Sequence, residues 1–216
     1  MHFKSALFDL DGVIVDTAIY HFQAWRRLAN ELGFDFTEHQ NEQLKGISRM
    51  ESLDLILSWG QKSLSDSEKL DWATRKNDWY LELIQHMTPK EILPGVKDFL
   101  EELKENKINI ALGSASKNSK MILNKIELFH FFDAIIDGNN ITKGKPDPQV
   151  FLMGAEATGS LPSECIVFED AQAGIEAAKS GGMFAIGIGD KNILNKADMV
   201  YKSFEDFNLL TLLKLI

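Results

Sequence analysis

The sequence predicts an α/β fold, a Rossmann-like doubly wound parallel sheet core with an inserted all-helical cap domain. Three observations carry that expectation. An apolar run, ALFDLDGVIV at Ala6 to Val15, reads as a buried strand that ends in two carboxylates and a glycine. From about Thr17 to His86 only helical spacing is found, and after Thr88-Pro89 helical and short-strand patterns alternate. The expected division is residues 1–14 and 89–216 for the core and 15–88 for the cap.

Each element follows from its own pattern. AIYHFQAWRRLANEL, MESLDLILSW and DSEKLDWATRKNDWYLELIQ carry apolar residues three and four apart, as helices packed on one another require. All four tryptophans fall before residue 80 and all five prolines begin at Pro89, so the composition changes where the pattern does. Beyond that point VKDFLEELKEN, KMILNKIEL, PQVFLMGAEAT and AGIEAAKSG read as helices. INIALGS, DAIIDG, CIVFED and FAIGIG read as strands, with MVY as a last short strand before a C-terminal helix. The first strand, Ser5 to Leu10, belongs to the same sheet although the helical block separates it in sequence. Linkers are expected near Val13 to Thr17 and Met87 to Leu93.

Composition excludes several classes of function. At 216 residues with 44% hydrophobic content the chain can bury a full core. Its net charge of -9 argues against a nucleic-acid partner, although a locally positive site could still take an anion. The single Cys165, inside the apolar run CIVF, excludes an internal disulfide framework. MHFKSALFDL lacks a secretory apolar core, and no stretch is apolar enough to cross a bilayer, so no membrane partner and a cytoplasmic location are expected.

Ligands of open parallel sheets bind beyond the carboxyl ends of the strands. Those ends deliver Asp9 and Asp11 from the first strand, Ser114 from the next, Lys145 from the loop before PQVF, and Glu169 and Asp170 from CIVF. Because Leu10 separates the two acids, strand alternation would turn Asp9 and Asp11 to one side, close enough to share a cation. Clustered carboxylates repel unless a hard cation lies among them, and all-oxygen ligation suits Mg²⁺ better than zinc. Phosphoryl transfer uses such a set, with Asp9 as nucleophile, Asp11 as proton carrier, and Ser114 and Lys145 holding the transferred group. Each residue also has a purely structural reading. The Asp-x-Asp-Gly could be turn chemistry, Ser114 a helix cap, Lys145 a surface lysine, and Glu169-Asp170 a pair complementing a helix dipole. The site reading needs one cause where the structural reading needs four.

DLDG, then Ser114, then Lys145 in GKPDP, then Glu169-Asp170 in FEDAQAGIEAAKSGG resembles the haloacid dehalogenase-like phosphotransferase superfamily over the whole chain. LKGISRMESL, RKNDWY and ALGSASKN are similar to its hexose-phosphate mutase branch. The resemblance implies a phosphorylated Asp9, Asp11 as general acid/base, and Mg²⁺ held by Asp9, the Asp11 backbone carbonyl and Asp170, with Glu169 close by. It implies that Gly46, Ser48 and Arg49 grip the phosphate not being transferred. Thr17, His21, Trp25 and Lys76 in the cap, and Ala115, Ser116, Lys117 and Asn118 in the core, fall at its substrate-binding positions. Trp25 could equally be core, and His21 one of five histidines without a metal partner.

The implied substrate is a small sugar phosphate. Beta-glucose 1-phosphate would be converted to glucose 6-phosphate, with glucose 1,6-bisphosphate as activator and intermediate, by a monomer. A cis Lys145-Pro146 peptide is a further expectation of the resemblance. The rival readings are a Mg-dependent sugar-phosphate phosphatase, in which water accepts the phosphoryl group, and a catalytically silent binding protein.

Overall fold

A computed structural model describes residues 3–207 and 209. Strand β1 (Ser5–Phe8) is followed by four helices, α1 (Ala18–Glu31), α2 (Glu38–Glu42), α3 (Arg49–Trp59) and α4 (Asp66–Ile84). The chain then alternates through α5 (Val96–Glu105), β2 (Asn109–Gly113), α6 (Ser119–Lys125), β3 (Ala134–Ile136), α7 (Gln149–Ala157), β4 (Cys165–Glu169), α8 (Gln172–Ser180), β5 (Phe184–Ile188) and β6 (Met199–Tyr201). The expected C-terminal helix lies outside the described residues.

The six strands form one parallel sheet in the order β3-β2-β1-β4-β5-β6, which puts β1 at its centre. Alternation along the strands feeds two cores. Ala6, Phe8, Ile110, Leu112, Ile166 and Phe168 face the α5 and α6 side, while Leu7, Ala111 and Val167 pack under α7 and α8. Burial on both faces explains why these strands are continuous apolar runs. A third core, built on Trp25, Leu28, Phe36, Leu53, Ile56 and Ala73, holds the helical block together.

Helix α2 was not expected from apolar spacing. Its sequence signal is a capping box, in which the Thr37 side chain accepts from the Gln40 amide and Gln40 returns a bond to the Thr37 amide. Ser48 and Ser65 start α3 and α4 in the same way. The two connections between helical block and sheet lie side by side: Val15 bridges to Ile92, and the Leu93 amide donates to the Ile14 carbonyl at 3.0 Å. The Lys145-Pro146 peptide is cis. Among the described residues no helix is long and apolar enough to cross a membrane.

One expectation fails at the end of β1, which stops at Phe8 rather than Leu10. The Asp9 amide still donates to the Phe168 carbonyl, but the Leu10 carbonyl then receives the Ile14 and Val15 amides, and Gly12 turns the chain with a φ of +79°. Asp9 and Asp11 both reach one cavity, as expected, but across a turn rather than along a strand, and their carboxylates have different partners.

Candidate active site

The carboxyl ends of β1, β2 and β4 face the helical block across a cavity of about 980 Å³. Of the residues singled out from the sequence, all but Lys145 and Glu169 line it: Asp9, Asp11, Thr17, His21, Trp25, Gly46, Ser48, Arg49, Lys76, Ser114, Ala115, Ser116, Lys117, Asn118 and Asp170. Lys145 and Glu169 lie just behind the wall. The Lys145 ammonium, 2% exposed, donates to Asp9 Oδ1 at 2.7 Å and to Glu169 Oε2 at 2.8 Å. Burial works against this ammonium, but Asp9 and Glu169 outweigh it and hold the group charged, above its usual range. Lys145 thus bears on Asp9 rather than on the open cavity.

Three carboxylates can converge on one ion. Oxygens of Asp9, Glu169 and Asp170 lie within 4.8 Å of one another, a hard, all-oxygen set suited to a divalent cation. Gly12 lets the chain pass close, since a Cβ there would lie 2.2 Å from Asp170 Oδ2. The Asp11 carboxylate is not in this group, which corrects the expectation that both acids of the first strand share a cation through their side chains. It accepts instead from the Thr17 hydroxyl, because the turn after Phe8 swings it toward the start of α1.

Burial and the neighbouring charge of Asp9 push the Asp11 carboxyl up to about 7. The same causes push Asp170 up to about 6. For Glu169, burial outweighs the nearby Lys145 and raises it to about 8. Raised carboxyls bind more protons in the folded chain than in the unfolded one, so between about pH 4 and about pH 8 the metal-free protein should lose stability as pH rises. A cation held by these acids offsets that loss. A divalent metal salt should therefore raise the melting temperature more at about pH 8 than at about pH 5.5 by thermal unfolding, and an equal gain at both would contradict the grouping.

The helical block contributes the opposite wall. Lys76, 2% exposed, donates to His21 Nδ1 at 3.0 Å and sits 4.3 Å from the Trp25 ring centroid. Burial depresses the pKa of Lys76 well below the usual lysine range and that of His21 well below the usual histidine range. Arg49 donates to Asn77 Oδ1 at 2.7 Å, and burial lowers its pKa too. Among the described residues no carboxylate lies within ion-pairing distance of Arg49, so a chain of net charge -9 still presents an unpaired guanidinium to this cavity. Trp25 serves both proposed purposes, packing in the helical core and facing the cavity.

Helical block and sheet touch at several points. Gly46, with a φ of +76°, passes Ala171 where a Cβ would meet the alanine methyl at 3.2 Å. Lys45 reaches Asp170 Oδ2 at 3.3 Å, and Asn118 Nδ2 donates to Asn77 Oδ1 at 3.0 Å. Lys45, Asn77 and Tyr80 are wall residues that sequence reasoning did not single out. Lys45 and Asn77 each adjoin a residue that was singled out, and Tyr80 closes the RKNDWY run. Nothing in the helical period distinguishes Asn77 and Tyr80 from solvent-facing or core positions, and Lys45 lies in the turn between α2 and α3.

Nucleophile, buried lysine and acid cluster at the strand ends of a parallel sheet are the equipment of phosphoryl transfer. The haloacid dehalogenase-like hydrolase family model matches residues 6–188, and the chain belongs to that family. Within it, the chain is similar to beta-phosphoglucomutase of Bacillus subtilis (strain 168), at 44% identity over 208 residues, 95% of this chain and 92% of that one. It is also similar to the crystal structure of beta-phosphoglucomutase from Clostridium difficile, with a TM-score of 0.95, 44% identity, and 98% and 96% of the two chains covered. A phosphorylated carbohydrates phosphatase of Thermotoga maritima is 31% identical over 183 residues, 83% of this chain and 82% of that one.

Proposed function

We propose that this chain is a beta-phosphoglucomutase, a phosphomutase that interconverts beta-D-glucose 1-phosphate and D-glucose 6-phosphate through an aspartyl-phosphate and glucose 1,6-bisphosphate. One observation carries the reading: the cavity has a reacting end at Asp9 and, on the helical block's side, the Arg49 guanidinium, which is held by the neutral Asn77 and has no ion-pairing carboxylate among the described residues. A bisphosphate needs both ends at once. A monophosphate handed to water needs only the first.

The steps follow from the residues. Lys145 binds Asp9 Oδ1 and leaves the other carboxylate oxygen for phosphorus. Phospho-Asp9 gives its phosphoryl group to the 6-hydroxyl of the sugar 1-phosphate while Asp11 takes the hydroxyl proton. The bisphosphate turns round, Asp9 attacks its 1-phosphoryl group, and Asp11 returns the proton to the departing sugar oxygen. Ser114 Oγ accepts from the Ser116 amide at 3.1 Å, which leaves the hydroxyl proton for a phosphoryl oxygen. Gly46, Ser48 and Arg49, with Ser116, Lys117 and Asn118, hold the idle phosphate, and Thr17, His21, Trp25, Lys76 and Ala115 shape the sugar site.

Mg²⁺ is the ion we assign to Asp9, Glu169, Asp170 and the Asp11 main-chain carbonyl, and when bound it supplies positive charge to the phosphoryl oxygens. The cap of residues 15–88 acts as a lid on the core of 1–14 and 89–216, excluding the water that would hydrolyse phospho-Asp9. The protein acts as a cytoplasmic monomer, with glucose 1,6-bisphosphate priming Asp9.

A second reading, sugar-phosphate phosphatase, is favoured by the likeness to the T. maritima enzyme. The two separate in one assay. With Mg²⁺, beta-glucose 1-phosphate and a trace of glucose 1,6-bisphosphate, glucose 6-phosphate should accumulate without free phosphate. Phosphate release without isomer would replace the first reading by the second.

A further inference from the structure

We infer that Asn77 is a positioning residue that joins the two halves of the phosphate grip and couples anion binding to lid closure. The inference rests on the functional reading above. Asn77 lies in the fourth turn of α4 and is half-buried at the cavity wall. Its Oδ1 accepts from Arg49 Nη2 at 2.7 Å and from Asn118 Nδ2 at 3.0 Å. Arg49 opens α3 in the helical block, whereas Asn118 precedes α6 in the sheet core. A single amide oxygen thus uses its two lone pairs on one donor from each half.

The donors have capacity left over. A guanidinium offers five N–H groups, and the Asn118 amide retains a second hydrogen and its own oxygen, so both can hold an anion while bound to Asn77. A neutral acceptor suits this place. A carboxylate at position 77 would also bind both donors, but its charge would oppose a phosphate and neutralise Arg49. The Asn77-Asn118 bond also crosses between helical block and core, so it forms only when the two meet. An anion that aligns Arg49 and Asn118 aligns both donors for Asn77.

The test compares Asn77→Ala and Asn77→Asp with the unaltered enzyme, using beta-glucose 1-phosphate as a grip-dependent substrate and acetyl phosphate as a small one. Asn77→Ala should lower kcat/KM for the hexose phosphate by about ten- to a hundredfold, the usual cost of losing hydrogen bonds to a charged group. The loss should be several times smaller for acetyl phosphate. In an Arg49→Ala background the same substitution should cost less, because its partner is already gone. Asn77→Asp should raise KM for the hexose phosphate more than it lowers kcat, and the melting temperature of each variant reports whether it folds.

Equal losses on both substrates, or an Asn77→Ala effect unchanged in the Arg49→Ala background, would overturn the inference. If the unaltered enzyme released phosphate and made no isomer, the mutase reading would fail. The Asn77 comparison would then be read as phosphate release from the same hexose phosphate, with the same two outcomes.

Discussion

Asp9→Asn is expected to remove turnover by on the order of 10⁴-fold or more, because the amide cannot attack phosphorus to form the acyl phosphate. Fold loss is not expected to be the cause. Asn has nearly the shape of Asp, and Lys145 keeps Glu169 as a partner at 2.8 Å. Removing the Asp9 charge also relieves pressure on Asp11, Glu169 and Asp170, all of which that charge pushes upward. The metal-free variant should therefore melt no lower than the unaltered protein. Residual activity within tenfold of the unaltered enzyme would exclude Asp9 as the nucleophile.

Asp11→Asn should lower kcat for the hexose phosphate by about 10²- to 10⁴-fold, the range for removing a general acid or base. The size of the loss should follow the leaving group. A sugar oxygen departs badly without a proton, whereas acetate leaves acetyl phosphate with little help, so phosphorylation of the variant by acetyl phosphate should suffer much less. The Thr17 hydroxyl, which now meets the Asp11 carboxylate, can donate equally to the amide oxygen of Asn, so the side chain should keep its place. A uniform loss across both donors would make Asp11 a structural residue instead.

The sheet was legible because both of its faces are buried: continuous apolar runs flanked by amphipathic helices admit few other arrangements. The strand-end positions of Asp9, Ser114 and Asp170 were legible for the same reason, since topology alone brings strand exits together. What escaped was decided by side-chain direction. Asp11 departs from the strand pattern because the chain winds into a turn after Phe8; the Asp-x-Asp-Gly signalled a turn, but not that it begins before Leu10. Lys145 meets Asp9 and Glu169 as expected, and what the sequence did not show is that these two acids bury its ammonium behind the cavity wall. Lys45 and Asn77 were missed because their partners, Asp170 and Asn118, lie far away in the sequence. Helix α2 was too short for periodicity and could be found only by its cap.

The most direct test is to locate the phosphoryl group. Protein incubated with radiolabelled acetyl phosphate and a divalent metal salt, quenched in acid and digested, should carry an acid-stable, base-labile label on the peptide containing Asp9, and Asp9→Asn should carry none. Label on a serine or histidine peptide, or label that survives Asp9→Asn, would contradict attack by Asp9.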